Sequence, residues 1–158
     1  MTERHIYVHE AGHAVVAHAL GFEVVAIEPT DTGFKTAFEA PEAPTLLEHY
    51  LTAVITLAGA AAQQKAGVAP DPGCDTDRNQ AIASILLYLG EDPQAWVSCL
   101  TSDYMPEQFE PAYIRAGELA VDLVKARWAS IQTLATALEE FQSLSMDEIK
   151  DILEPEEE

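Results

Sequence analysis

The chain has 158 residues, enough for one compact domain. Its 8 Lys and Arg against 27 Asp and Glu leave a net charge of −19, which argues against nucleic acid and anionic membranes as partners because phosphates repel such a surface. The 48% of hydrophobic residues is too much for a disordered chain and supplies a core.

Residues 2–20, filled by Ala, Val, His and Glu, predict a first helix, with Gly21 suited to follow its C-terminus. Two β-like runs follow at 22–28 and 34–39. In the second, Phe34, Thr36 and Phe38 alternate with Lys35, Ala37 and Glu39. The link 29–33 has turn composition, so the pair reads as a small β-hairpin or ribbon. Pro41 and Pro44 interrupt the chain, and Thr45 with Glu48 forms a capping box that opens a second helix over 46–66. A Pro/Gly-rich loop occupies 67–73. Asp75 or Thr76 can cap a third helix reaching Leu89. Prolines 93, 106 and 111 break the stretch 90–111.

Apolar residues then recur at spacings of three and four over 110–141, a helical pattern. Ser145 and Glu148 form another capping box, for a last short helix to Leu153. The domain is therefore expected over 1–153, mainly α with a small β-hairpin or ribbon, followed by an acidic tail at 154–158. The apolar run 53–62 is far shorter than the ~20 residues of a membrane span. No leader pattern precedes the polar, His-rich start, and the two cysteines, Cys74 and Cys99, form no disulfide framework. The expected location is cytoplasmic.

Chemistry concentrates in His9-Glu10-Ala11-Gly12-His13, an HExxH motif on the first helix. Residues i and i+4 lie on one helix face, so both imidazoles can reach one metal ion. Glu10 lies about 100° round the helix, beside the metal, where it can deprotonate a metal-activated water. Two histidines need a third protein ligand. His18 is about 140° off the face of His13. His5 is nearer the right face and could flank the site, and His49 falls early in the second helix. The better candidates are Asp75 and Asp77 at the head of the third helix, with Asp75 the expected N-cap. Metal binding should weaken below about pH 6, where free imidazole gains a proton.

Tyr7 to Val16 closely resembles the zinc-site helix of the M41 peptidases, the protease domains of FtsH-type ATP-dependent zinc metalloproteases. Leu57 to Ala62 looks like that family's glycine-alanine helix. Gly73-Cys74-Asp75-Thr76-Asp77 with Gln80-Ala81 looks like its segment carrying the third zinc ligand, and residues 111–153 are similar to its C-terminal helices. The resemblance implies a zincin-like fold, Zn2+ as cofactor, His9, His13 and Asp77 as ligands and Glu10 as the catalytic base. The ATPase module and membrane helices that accompany the family are absent from the sequence given, which leads to the expectation of a stand-alone zinc metalloendopeptidase acting on peptides or unfolded protein segments. The alternative is a catalytically weak or inactive zinc-binding domain serving as a regulatory or interaction module. A third reading is a subunit that borrows a separate ATPase in trans, and the partners expected are a second copy of the chain or a separate protein. Ala60 and Gln63 stand where the family commonly has arginine and glutamate, a departure expected to alter local salt bridges and subunit contacts rather than the metal site. Cys74 is a candidate redox-sensitive neighbour or a plain buried thiol.

Overall fold

The computed structural model of the protein describes residues 4–31, 33–39, 45–69, 73–93 and 106–154. The prolines at 41 and 44, Cys99, most of the interrupted stretch 90–111 and most of the acidic tail lie outside them. The elements run α1 (Arg4–Ala19), β1 (Glu23–Thr30), β2 (Gly33–Glu39), α2 (Leu46–Lys65), α3 (Gly73–Tyr88), α4 (Phe109–Ala126), α5 (Trp128–Phe141), β3 (Leu144–Ser145) and α6 (Met146–Leu153). The architecture is mainly helical with one small antiparallel sheet, as expected at that level.

Helix α1 is the centre of the molecule. Every residue from Tyr7 to Ala17 except His9 is buried, so it has no solvent face to keep polar. Helix α2 packs along one side of it and α5 along another, while β1 and β2 cover a third. Small residues set the α1–α2 spacing. A Cβ on Gly12 would come 2.7 Å from Ala62 Cβ and 2.9 Å from the Ala58 carbonyl oxygen, so only glycine permits this approach. The C-terminus of α1 closes as its sequence suggests. Gly21 takes φ 85°, and the amides of Gly21 and Phe22 return to the carbonyls of His18 and Ala17 at 3.1 and 2.9 Å. Both capping boxes are present, Thr45 with Glu48 and Ser145 with Glu148.

Three local expectations are corrected. Pairing of β1 with β2 continues to Thr30↔Gly33, so the link assigned to 29–33 is largely strand. The helical pattern over 110–141 is two helices, because Arg127 leaves helical geometry at φ −113°, ψ 21°. Its amide still bonds Leu123 and its carbonyl still accepts from Ile131, so the turn costs few hydrogen bonds. It lets α4 pack on α2 while α5 packs on α1, and Lys65 Nζ lies 5.2 Å from the Trp128 ring centroid at that corner. Third, Leu144 and Ser145 form a strand, pairing with Ile27 and Ala26 of β1. The sheet order is β2-β1-β3, which leaves the outer edge of β2 with no strand partner among the described residues.

Candidate metal centre

The cleft between α1, β2, α2 and α3 has a volume of about 750 Å³. Ile6, His9, Glu10 and His13 of α1 form one wall, with Phe34, Thr36 and Phe38 of β2 along another; Thr56 and Gln63 of α2 and Asp77 of α3 close it. Tyr7 and Phe34 pack edge to face, with centroids 5.2 Å apart, holding β2 against α1.

At the bottom of this cleft three potential donors converge. His9 Nε2 lies 3.1 Å from His13 Nε2, and Asp77 Oδ2 lies 2.8 Å from the first and 3.1 Å from the second. Tetrahedral donors around one ion with bonds of about 2.0–2.2 Å stand about 3.3–3.6 Å apart, so a small outward movement of each group admits a metal ion. These three residues are the His/Cys/Asp/Glu group among the described residues that could hold one.

The position of Asp77 follows from where α3 begins. The helix starts at Gly73, two residues ahead of the predicted cap, so Asp75 is not its N-cap but a residue of the first turn. Asp75 and Asp77 stand about 200° apart around the axis, so only one can face α1. Asp77 does, with 21% of its side chain exposed; Asp75, 68% exposed, sits 4.0 Å from Arg78. His18 points to Glu154 at 3.7 Å. His5 lines the cleft mouth, and His49 lies half-buried near the start of α2; neither joins the triad.

Each imidazole is held from behind. His13 Nδ1 lies 2.8 Å from the Ile55 carbonyl oxygen, and His9 Nδ1 lies 3.1 Å from Gln63 Oε1. Acceptors at Nδ1 put the proton there and leave Nε2 free for a metal. Gln63 thus belongs to the site, contrary to the expectation that the residue at this position leaves the metal site untouched. Cys74 is a buried thiol with Sγ 3.9 Å from His9 Nδ1. Helix α2 also provides the space. A Cβ on Gly59 would fall 2.5 Å from His13 Nε2 and 2.6 Å from His9 Nε2, filling the volume the donors face.

Glu10 is buried beside this group and anchored by β2. The Thr36 hydroxyl lies 2.5 Å from Glu10 Oε2 and 3.1 Å from the Glu10 carbonyl oxygen, and its one proton goes to the nearer, charged acceptor. Nothing in the sequence marks Thr36 beyond its place on the inward face of an alternating strand.

Without a metal, a proton holds the cluster together. Burial pushes the His13 imidazole down. The Asp77 hydrogen bond, the Glu10 and Asp77 charges and the Ile55 carbonyl outweigh it and raise the pKa to about 9. For Asp77, burial acts upward, but the hydrogen bonds and charges of His13 and His9 hold its carboxyl well below the usual range. A metal must therefore displace a proton from His13 at any pH below about 9. That moves the onset of acid weakening up from the pH of about 6 expected for free imidazole.

No helix among the described residues is long and apolar enough to cross a membrane. Compared with known proteins, the chain matches no family model and no curated sequence.

Proposed function

We propose that the protein is a stand-alone zinc metalloendopeptidase of M41 type with a zincin-like fold, cytoplasmic, acting on peptides or unfolded protein segments. The observation that carries this reading is the convergence of His9 Nε2, His13 Nε2 and Asp77 Oδ2 below an open cleft, with Glu10 held beside them by Thr36. Two imidazoles and one carboxylate suit zinc, and three protein donors leave a tetrahedral position open. A bound zinc ion would supply Lewis acidity to water and to the scissile carbonyl.

The chain's own residues do the rest. Glu10 accepts the proton of the attacking water and returns it to the leaving amine. The Thr36 hydroxyl restrains the Glu10 carboxylate, so its reach depends on strand β2. The outer edge of β2 offers backbone N–H and C=O groups to an extended peptide, and main-chain pairing there accepts many sequences. Ile6, Phe34 and Phe38 give that cleft apolar walls.

The test is metal analysis of protein purified without chelators, with cleavage of unstructured peptides in the absence of nucleotide. Glu10→Gln should keep metal and fold but lose turnover, since an amide can hold water yet cannot take its proton. Turnover by Glu10→Gln at the wild-type rate, or a requirement for ATP, would sink the reading. Asp77→Ala should weaken zinc by tenfold or more while Asp75→Ala leaves it unchanged; the reverse would reassign the third ligand. Ala37 pairs with Ala26 in step with the hydrogen-bonded Thr30↔Gly33 pair, so its amide faces β1. Phe38, one residue on, turns its amide to the outer edge, and Phe38→Pro probes edge pairing, with zinc kept and turnover reduced. Thr36→Pro is unsuited to that purpose because it also removes the hydroxyl on Glu10.

A further inference from the structure

His9 and His13 are held by different kinds of group. His13 leans on a backbone carbonyl, Ile55, which no substitution removes. His9 leans on a side chain. Gln63 is 1% exposed, and an amide so deep must satisfy both its ends. Its Nε2 donates to the Ala69 carbonyl oxygen at 3.0 Å. That carbonyl can only accept, so the nitrogen end of the amide has to face Ala69 and the oxygen end has to face His9. An amide oxygen in turn can only accept. Two donors can reach it, the Cys74 thiol at 3.8 Å and His9 Nδ1 at 3.1 Å. Two lone pairs facing each other at 3.1 Å would repel, so the nearer His9 Nδ1 carries a proton and the ring presents Nε2 to His13 and Asp77.

We propose that Gln63 is the positioning residue for His9, transmitting a fixed hydrogen-bond direction from the Ala69 carbonyl, through its amide, to the imidazole, and so holding Nε2 in the form and orientation that accepts a metal ion. The inference rests on the metal-centre reading of the triad. It assigns to Gln63 two separable duties: accepting from His9 and anchoring residue 69 after α2. A residue that only packed would perform neither, and one that only anchored the loop would perform the second alone.

Two substitutions separate them. Gln63→Met keeps the volume and loses both hydrogen bonds. Gln63→Glu keeps an acceptor for His9 but cannot donate to Ala69. Zinc affinity, measured in the full chain by competition with a chelator, should fall about 10–100-fold in Gln63→Met and stay within a few-fold of wild type in Gln63→Glu. Equal losses in both variants, or no loss in Gln63→Met, would overturn the proposal. Should either variant fail to fold, the nitrogen chemical shifts of His9 in the metal-free wild type decide. Protonated Nδ1 is expected, and a neutral ring protonated only at Nε2 overturns the proposal. A wild-type protein that binds no zinc would refute the metal centre itself, and the His9 nitrogen shifts would still report whether Gln63 holds the ring.

Discussion

The cleft end of the molecule and the α4–α5–α6 end bury different chemistry. Glu10, His13, Thr36, Thr56 and Gln63 are the buried polar side chains of the described residues, and all five line the cleft. At the other end α4 buries Phe109, Ala116, Ala120 and Val124, α5 buries Ile131, Leu134, Ala135 and Leu138, and α6 buries Ile149. Burying polar groups costs free energy that apolar packing does not. Confining them to one place, where His9, His13, Glu10 and Gln63 each have a partner, marks a region built to hold something. The apolar end supplies stability, and the cleft end uses some of it.

The largest effect should come from closing the cleft end with one methyl group. Gly59→Ala places a Cβ within 2.5–2.6 Å of both Nε2 atoms, which the Ile55 and Gln63 partners prevent from retreating. Alanine normally favours a helix over glycine by up to about 1 kcal/mol, so loss of binding would not follow from helix propensity. Zinc titration should detect a loss of on the order of 100-fold or more. Wild-type affinity would show that the metal does not sit where the donors converge.

The apolar end should respond in the opposite sense. Ile149 is 1% exposed under α5, β1 and β3. Ile149→Ala should cost about 2–5 kcal/mol in denaturant unfolding of the metal-free protein. Zinc affinity of the folded protein should be unchanged. A parallel fall in affinity would mean that the two ends are one cooperative unit and the contrast is only compositional.

The next test sets protons against metal at the cleft end. The folded pKa of His13, about 9, lies above its unfolded value near 6.5. Its contribution to metal-free stability is therefore full below about pH 6.5 and is lost as pH rises through about 9. Asp77 is depressed, so its contribution is present above its unfolded value near 3.8 and fades as pH falls toward its folded value. Thermal unfolding of chelator-treated protein should thus be best between about pH 4 and 6.5 as far as this pair decides it. Zinc affinity should run the other way, rising from pH 7 to about 9 as His13 gives up its proton and then flattening. An affinity that does not change between pH 7 and 9 would show that His13 holds no proton for the metal to displace.

The contrast also governs what could be read from sequence. Local chemistry was legible: the i, i+4 pair His9 and His13, the Thr45 and Ser145 caps, and Gly21 after α1 are each written within five residues. Asp77 required choosing a helix face and was reached through resemblance. Gln63 and Thr36 were not legible as parts of the site, because their partners lie 54 and 26 residues away in the chain. At the apolar end, α4 and α5 share one periodicity because both face the same core, so spacing alone cannot locate the break at Arg127. Strand β3, two residues long, is too short for alternation to register.

The smallest effect tests whether the apolar end is finished. Gly117 lies mid-helix in α4, and a Cβ there would meet nothing within 4 Å. Gly117→Ala should therefore stabilise by about 0.5–1 kcal/mol through the unfolded chain's lost freedom, raising Tm by roughly 1–4 °C, with zinc affinity unchanged. It is the same substitution as Gly59→Ala, also mid-helix, and the opposite outcome would follow solely from what stands over the Cα. Ile114 and Val121, three and four residues either side, share its stripe and are 50% and 38% exposed. Were that stripe covered by a second copy of the chain, the added methyl would meet a tight surface. Gly117→Ala would then lower Tm, and the loss would grow with protein concentration as the wild-type dimer formed. A rise in Tm that does not depend on concentration leaves the stripe as a solvated face.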